Sequence, residues 1–216
     1  MSEDYHHYVF RDGILVGDFE GMYVNSEVIP WHQDKEAESW IGDMAVHMIA
    51  PFSDFDSGLE IGCGMGYFAN RVAPFCRKFT GIDVSPTAVQ KAKDLFGHIR
   101  FEVGDITSED FGFKNQDFVM VKDLLWYVFP KIGQVIKNLS EAVKQHGTLC
   151  IFQSFPNLAS QFIGKEVIPS PEVLIECLQA QFSLIHSCAL QRHAYPNEGP
   201  MFIGIFERNS TPNIMV

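Results

Sequence analysis

The sequence predicts an α/β protein: a three-layer sandwich on a mostly parallel, seven-stranded sheet with an antiparallel last strand. Strand-like apolar segments alternate with helical patterns from residue 35 to residue 153. Segment 118–121 contains no polar residue, as expected for a strand buried on both faces of a parallel sheet. Segments 182–190 and 201–207 follow each other without a helix between them, which indicates an antiparallel pair.

The individual elements follow from local patterns. Residues 1–30 show weak periodicity and are predicted to be an irregular lead-in. From Lys35 onward, apolar residues with helical spacing, including Trp40, predict a helix that ends before Pro51. The other predicted strands are 59–61, 78–82, 99–103 and 148–153, and the other predicted helices are 67–73, 86–96, 132–143 (with Gly147 past its end) and 171–180.

Composition limits the class of function. The chain has 216 residues, of which 46% are hydrophobic and 20% are charged, so we expect one globular domain. A formal net charge of −11 disfavours nucleic acid as a partner. Five cysteines without a C-x-x-C spacing predict reduced thiols, no metal site and a cytoplasmic protein. The sequence shows no signal peptide or membrane-spanning run, and it leaves the oligomeric state open.

The strongest chemical signal is a glycine-rich turn followed by a carboxylate. Gly62, Gly64 and Gly66 follow the strand at 59–61, and Asp83 ends the next strand. Residues without side chains let a ligand approach the backbone closely. A carboxylate at a neighbouring strand end can accept the hydroxyl hydrogens of a ribose. The pair therefore predicts a site for a cofactor that contains a nucleoside.

Four segments in this order, 59–66, 81–85, 104–106 and 117–121, resemble the class I S-adenosylmethionine-dependent methyltransferases. The resemblance covers residues 35–155. Segment 123–128 is similar to small-molecule members, particularly the NodS-like and antibiotic-sugar N-methyltransferase branches. The resemblance implies a Rossmann-like fold, S-adenosylmethionine as the cofactor, and methyl transfer to an oxygen or nitrogen of a small metabolite. It also divides the single domain 1–216 into a lid and helix (1–50), a cofactor-binding core (51–155) and a C-terminal helix and strand pair (156–216).

The resemblance implies a set of cofactor-binding residues. The glycine turn would contact the methionine and ribose, Glu60 the ammonium group, Asp83 the ribose hydroxyls, and Val84 the adenine. Asp105 and Ile106 would read the exocyclic amine and the ring face. Lys122 lies where backbone carbonyls line the methionine, although a smaller residue is common there in the family. The complete set is Glu60, Gly62, Cys63, Gly64, Gly66, Asp83, Val84, Asp105, Ile106 and Lys122.

Substrate-contacting residues are predicted less specifically, and no catalytic residue is predicted. Tyr23 and Trp31 either belong to a lid over cofactor and substrate or seal a helix against the sheet. Trp126 and Tyr127 follow the fourth strand, where they either line the substrate site or pack in the core. His193 and Tyr195, between the last two strands, are candidates for contact with the acceptor.

Two other functions are compatible with a glycine-rich turn. A nicotinamide-dependent oxidoreductase is disfavoured because its G-x-G-x-x-G pattern would require glycine or alanine where this chain has Tyr67. An S-adenosylmethionine-binding module without activity is the second alternative, since binding residues alone do not establish turnover.

Overall fold

The structure is a computed structural model that describes residues 5–157, 163–191 and 198–210. It separates into two compact units, residues 1–105 and residues 106–216. His193 and Tyr195 lie outside the described residues. The division of residues 1–216 into a lid, a core and a C-terminal part stays a prediction.

The first unit contains a parallel three-stranded part of the sheet, preceded by a mostly helical N-terminal region. Strand β3 pairs with β4, and β4 pairs with β5, all in parallel. The carboxyl ends of parallel strands meet at one edge, so Glu60 on β3 is level with Gly81 on β4, and Asp83 is level with Val103 on β5. The elements are α1 (His6–Val9), β1 (Phe10–Arg11), β2 (Ile14–Leu15), α2 (Phe19–Asn25), a 3-10 segment (Pro30–Glu38), α3 (Trp40–Ile49), β3 (Phe55–Ile61), α4 (Tyr67–Val72), β4 (Cys76–Asp83), α5 (Pro86–Leu95) and β5 (Arg100–Val103).

Two predictions for the N-terminal region are wrong. Residues 1–30 are not irregular throughout, because they include the helices α1 and α2 and the small hairpin of β1 and β2. The helix predicted from Lys35 begins only at Trp40, where the Ser39 side chain accepts a hydrogen bond from the Gly42 N–H and caps the first turn. Trp40 is therefore the first helical residue, and it is 56% exposed and does not face the core.

The second unit contains the remaining four strands in the order β6-β7-β9-β8. Strands β6 and β7 are parallel, whereas β9 is antiparallel to both of its neighbours. Residues 118–121 of β6 are all buried, in agreement with the sequence prediction. The elements are β6 (Gln116–Lys122), α6 (Leu125–Val128), α7 (Ile132–Ala142), β7 (Val143–Pro156), α8 (Pro171–Leu178), β8 (Phe182–Leu190) and β9 (Glu198–Arg208).

The predicted fold class is confirmed: the protein has a seven-stranded, mostly parallel sheet with helices beside it and an antiparallel last strand. One boundary differs, because β7 begins at Val143 and includes Gly147, which was predicted to follow a helix end. In the ranges that the structure describes, no helix combines the length and apolar character needed to cross a membrane.

Candidate functional site

The glycine turn connects β3 to α4 through backbone conformations that favour glycine. Gly62, Gly64 and Gly66 have φ angles of 77°, 53° and 82°, in the left-handed region where a Cβ atom is strained. The N–H groups of Gly62 and Cys63 both donate to the Ile82 carbonyl, at 2.8 and 2.9 Å. The turn is thereby fixed to the end of β4, beside Asp83.

Asp83 is the central polar residue of this edge of the sheet. Its side chain is buried, and its two carboxylate oxygens accept hydrogen bonds from the Gly64 N–H at 2.8 Å and the Ser85 N–H at 2.9 Å. Burial raises the pKa of Asp83, and these backbone hydrogen bonds partly oppose the rise. The Val84 N–H contributes a further backbone hydrogen bond. A carboxylate accepts about four hydrogen bonds in all, so Asp83 retains capacity for a ligand hydroxyl.

Cys63 and Glu60 are buried beside the turn. Burial, followed by the negative charges of Asp83 and Glu60, raises the pKa of the Cys63 thiol well above its ordinary value. The thiol is therefore neutral, and it donates to the Gly64 carbonyl at 3.6 Å. Because the thiolate is the nucleophilic form, Cys63 is a structural part of the turn. Among the residues that the structure describes, no group of three or more His, Cys, Asp or Glu could hold a metal ion.

The ends of β4 and β5 leave apolar side chains uncovered. Val84 is 45% exposed and Val103 is 53% exposed. The Gly104 N–H donates to the Asp83 carbonyl at 3.0 Å, which places the exposed Asp105 one residue beyond this contact. An uncovered apolar surface next to a buried carboxylate suits a ligand with a flat ring attached to a sugar.

Part of the N-terminal region predicted to be a lid contacts this edge of the sheet, in part through residues that the sequence did not single out. We call residues 19–38, which comprise α2 and the 3-10 segment, the N-terminal strap. The Glu20 carboxylate accepts hydrogen bonds from the Ser85 hydroxyl, from the Thr87 hydroxyl at 2.6 Å and from the Thr87 N–H at 3.1 Å. These bonds lower the pKa of Glu20, and they place a negative charge at the positive end of α5. Lys91 of α5 also donates to the Tyr23 carbonyl at 2.7 Å.

The strap also reaches the glycine turn. The Met65 N–H donates to Oε1 of Gln33 at 2.8 Å, and Nε2 of Gln33 donates to the Tyr23 hydroxyl at 2.8 Å. A Cβ atom added to Gly64 would lie 2.5 Å from Oε1 of Gln33 and 2.7 Å from the Tyr23 hydroxyl. The bare face of Gly64 is therefore in direct contact with the strap.

Tyr23 and Trp31, two of the predicted substrate residues, lie in one aromatic cluster. The ring centroid of Trp31 lies 5.8 Å from that of Tyr5, 6.5 Å from that of Phe19 and 6.3 Å from that of Tyr23. Tyr23 is only 2% exposed, so its ring is a packing element. Trp31 and His32 have φ angles of 53° and 50°, which cost about 1–3 kcal/mol each for residues other than glycine. Strain of this kind is maintained only where the surrounding packing enforces it.

Arg71 of α4 holds the far end of the strap. Its guanidinium donates to the Glu36 carbonyl at 2.8 Å and to the Glu36 carboxylate at 3.3 Å, and it pairs with the Asp43 carboxylate. The Arg71 side chain is 16% exposed. Such a partly buried, multidentate ion pair contributes more to the free energy of unfolding than a solvated surface pair does.

The remaining predicted residues lie in the second unit. Ile106 is buried, and its carbonyl accepts a hydrogen bond from the Asn138 side chain at 2.6 Å. The Lys122 ammonium is 3.5 Å from the Asp123 carboxylate and 5.0 Å from the centre of the Phe152 ring. These contacts give Lys122 one partner directly after its own strand and one on β7.

Trp126 and Tyr127 belong to the short helix α6 after β6. The indole N–H of Trp126 donates to the Ser154 carbonyl at 2.6 Å, and its ring packs edge-on against Phe155 at 5.9 Å. Trp126 is buried, which favours core packing for this residue, whereas Tyr127 is half-buried. Gln153, which the sequence did not single out, is buried and accepts a hydrogen bond from the Leu125 N–H at 3.2 Å.

Comparisons with known proteins find methyltransferases among the similar proteins. A family model described as a methyltransferase domain matches residues 59–147, which include the glycine turn, Asp83 and Lys122. A Nodulation protein S from Bradyrhizobium diazoefficiens is 28% identical over 159 residues, covering 69% of this chain and 68% of the relative. A magnesium-protoporphyrin O-methyltransferase from Rhodobacter capsulatus is 32% identical over 89 residues, covering 38% of this chain and 39% of that protein.

A solved structure has the same fold. The N-methyltransferase NodS from Bradyrhizobium japonicum WM9, in complex with S-adenosyl-L-homocysteine, superposes with a TM-score of 0.72 at 21% identity. The match covers 88% of this chain and 96% of that one. In its fold, its glycine turn and these matches, the chain is similar to the class I S-adenosylmethionine-dependent methyltransferases. The matches to Nodulation protein S and to NodS agree with the resemblance to the NodS-like branch that the sequence indicated.

Proposed function

We propose that this protein transfers the methyl group of S-adenosylmethionine to a nitrogen or oxygen atom of a small-molecule acceptor. The observation that supports this most directly is the connection between the buried Asp83 carboxylate and the Gly64 N–H at adjoining strand ends. That connection holds a bare stretch of backbone and an anionic group side by side. The cofactor combines a ribose, an adenine and an amino-acid end, and such an edge has complementary groups for each.

The residues of the first unit fit the cofactor. Asp83 would accept a ribose hydroxyl with the capacity that its backbone hydrogen bonds leave. Val84 and Val103 would pack against the adenine, because both are largely exposed at adjoining strand ends. Glu60 would attract the ammonium group through its charge. The roles of Asp105, Ile106 and Lys122 follow from the family resemblance and stay predictions.

The chemistry places modest demands on the protein's own residues. S-adenosylmethionine supplies a methyl group on a positively charged sulfur that is a good leaving group. The protein's contribution is to align the acceptor and to exclude water. The strap is suited to the second task, since Glu20 and Arg71 fix it to α5 and α4. A neutral amine needs no general base, whereas an oxygen acceptor often does.

A small acceptor is more consistent with the chain than a nucleic acid. The net charge of −11 would repel a phosphate backbone. The names of the relatives include an N-methyltransferase and an O-methyltransferase, so both acceptor atoms remain part of the proposal. We also propose a cytoplasmic location, which is consistent with five free cysteines.

Calorimetry and methyl transfer test the proposal in sequence. The protein should bind S-adenosylhomocysteine and not NAD, and it should then transfer labelled methyl groups to a compound in fractionated metabolite extracts. The variant Asp83→Asn presents an amide nitrogen to one of two backbone N–H donors, and we expect it to weaken binding by about 1–3 kcal/mol. Unchanged affinity in this variant would remove Asp83 from the site. Binding without label transfer to any fraction would favour a binding module over an enzyme.

A further inference from the structure

We propose that Gln33 is a cofactor-binding residue whose side-chain amide nitrogen donates a hydrogen bond to the carboxylate at the amino-acid end of S-adenosylmethionine. This inference rests on the proposed function and adds a residue from the N-terminal strap to the site. The observation that carries it is the position of the Gln33 amide, in contact with both Gly64 and Met65 of the glycine turn.

The hydrogen bonds of Gln33 define which end of its amide faces which neighbour. A backbone N–H can only donate, so the Met65 N–H requires the amide oxygen, and it lies 2.8 Å from Oε1. The amide nitrogen is then on the side of Tyr23, and it donates to the Tyr23 hydroxyl at 2.8 Å. An amide nitrogen has two hydrogens, and this bond uses one of them.

The amide nitrogen lies directly over the bare face of Gly64. A Cβ atom built on Gly64 would be 2.6 Å from Nε2 of Gln33, closer than a Cβ contact in a real protein. Because Gly64 has no side chain, the Gln33 amide can lie against its backbone, and the turn can adopt its left-handed conformation. A ligand carboxylate that approaches the amides of the turn comes within reach of this nitrogen.

The charges around the turn explain why the ligand carboxylate needs a hydrogen-bond donor. The buried Asp83 and Glu60 carboxylates both act on the neighbouring Cys63 thiol. Two negative charges suit the ribose hydroxyls and the ammonium group of the cofactor, but they repel its carboxylate. That carboxylate therefore requires N–H donors, and Gln33 supplies one without adding a charge.

The backbone before Gln33 is strained in a way that positions it. Trp31 and His32 both have left-handed φ angles, and the Trp31 N–H donates to the Tyr5 hydroxyl at 2.8 Å. Two successive left-handed residues other than glycine kink the 3-10 segment immediately before Gln33. Three residues later, Arg71 binds Glu36. The strained turn and the anchor together hold the Gln33 side chain against the glycine turn.

The variant Gln33→Glu separates a cofactor role from a structural one. A glutamate keeps an oxygen that can accept from the Met65 N–H, but it loses the donor and adds a charge that repels the ligand carboxylate. Two ligands are compared by calorimetry: S-adenosylhomocysteine, which has the amino-acid end, and 5′-methylthioadenosine, which lacks it. We expect Kd to rise about tenfold or more for S-adenosylhomocysteine, the scale for a lost charge-assisted hydrogen bond, and to stay unchanged for 5′-methylthioadenosine.

Ala37→Glu is the matched control, because it adds the same charge at an exposed position of the strap. It should leave both affinities as in the wild type, and thermal unfolding without ligand checks that each variant is folded. Equal affinities of Gln33→Glu and the wild type would overturn the proposal, as would equal weakening for both ligands. Tighter binding by Gln33→Glu would also overturn it, because Gln33 would then compete for the turn. If the wild type binds neither compound, the proposed function itself fails, and the inference fails with it.

Discussion

Replacing Gly64 by alanine measures how much of the strap's attachment depends on the bare face of this glycine. Gly64 has a φ angle of 53°, which costs about 1–2 kcal/mol for a residue with a Cβ atom. The new Cβ atom would also lie 2.5 Å from the Gln33 amide, so this amide must move. Its bonds to Met65 and Tyr23 would weaken, at about 0.5–1.5 kcal/mol each. The expected decrease in the free energy of unfolding is about 2–5 kcal/mol.

Gly13 provides a control that isolates the contact from the backbone strain. Its φ angle is +76°, and an added Cβ atom would meet nothing within 4 Å. Gly13→Ala should therefore show only the strain of about 1–2 kcal/mol. The difference between the two variants, about 1–3 kcal/mol, measures the strap contact.

Urea unfolding of both variants without ligand gives the two free energies directly. The reasoning requires Gly64→Ala to be clearly less stable than Gly13→Ala. If both variants lose the same stability, the strap does not depend on Gly64, and the contacts of Gln33 with the turn contribute nothing measurable. Limited proteolysis of Gly64→Ala should also release the strap earlier than in the wild type.

Three further outcomes are expected. Hydrogen bonding lowers the pKa of Glu20 below its ordinary value of 4.5. The charged Glu20 carboxylate therefore stabilises the folded protein above pH 4.5, and this stabilisation is lost as the pH falls through the lower pKa of the folded state. The stability difference between the wild type and Glu20→Gln should therefore be constant above pH 4.5 and shrink below it in urea titrations; a difference independent of pH would contradict this. Arg71→Ala should lower the free energy of unfolding by about 1–3 kcal/mol, whereas Arg77→Ala, which removes an exposed pair with Asp56, should change it by about 0–1 kcal/mol; equal losses would argue against Arg71 as an anchor. Asp83→Asn should bind S-adenosylhomocysteine about ten- to a hundredfold more weakly in calorimetry. At low pH the variant should unfold with the same free energy as the wild type, because the raised pKa of Asp83 already favours a neutral carboxyl in the folded protein.

The parts of the site that the sequence predicted share a local origin. Gly62, Gly64 and Gly66 have the left-handed conformations that glycine adopts without strain. Asp83 was placed correctly at the end of a strand, since β4 ends at this residue. Both features are encoded over fewer than ten neighbouring residues, so no knowledge of the tertiary structure is needed to find them.

The residues that the sequence missed have no such local signal. Gln33 contacts Met65, 32 positions away, and Glu20 contacts Ser85, 65 positions away. Both lie in stretches without regular hydrophobic spacing, where polar residues resemble an ordinary loop. Trp40 shows the opposite error: its spacing fits a buried helical stripe, but the helix begins at this residue and leaves its side chain exposed.

The sequence by itself determined the succession of the seven strands of the main sheet, the cofactor class and the two strand ends proposed to bind the cofactor. These depend on the alternation of apolar segments and on backbone conformations that favour glycine, and both are properties of short stretches of chain. Only the tertiary structure decided which side chains lie over the glycine turn. The N-terminal strap is held by hydrogen bonds and ion pairs between distant residues, and the geometry of such contacts exists only once the chain has folded.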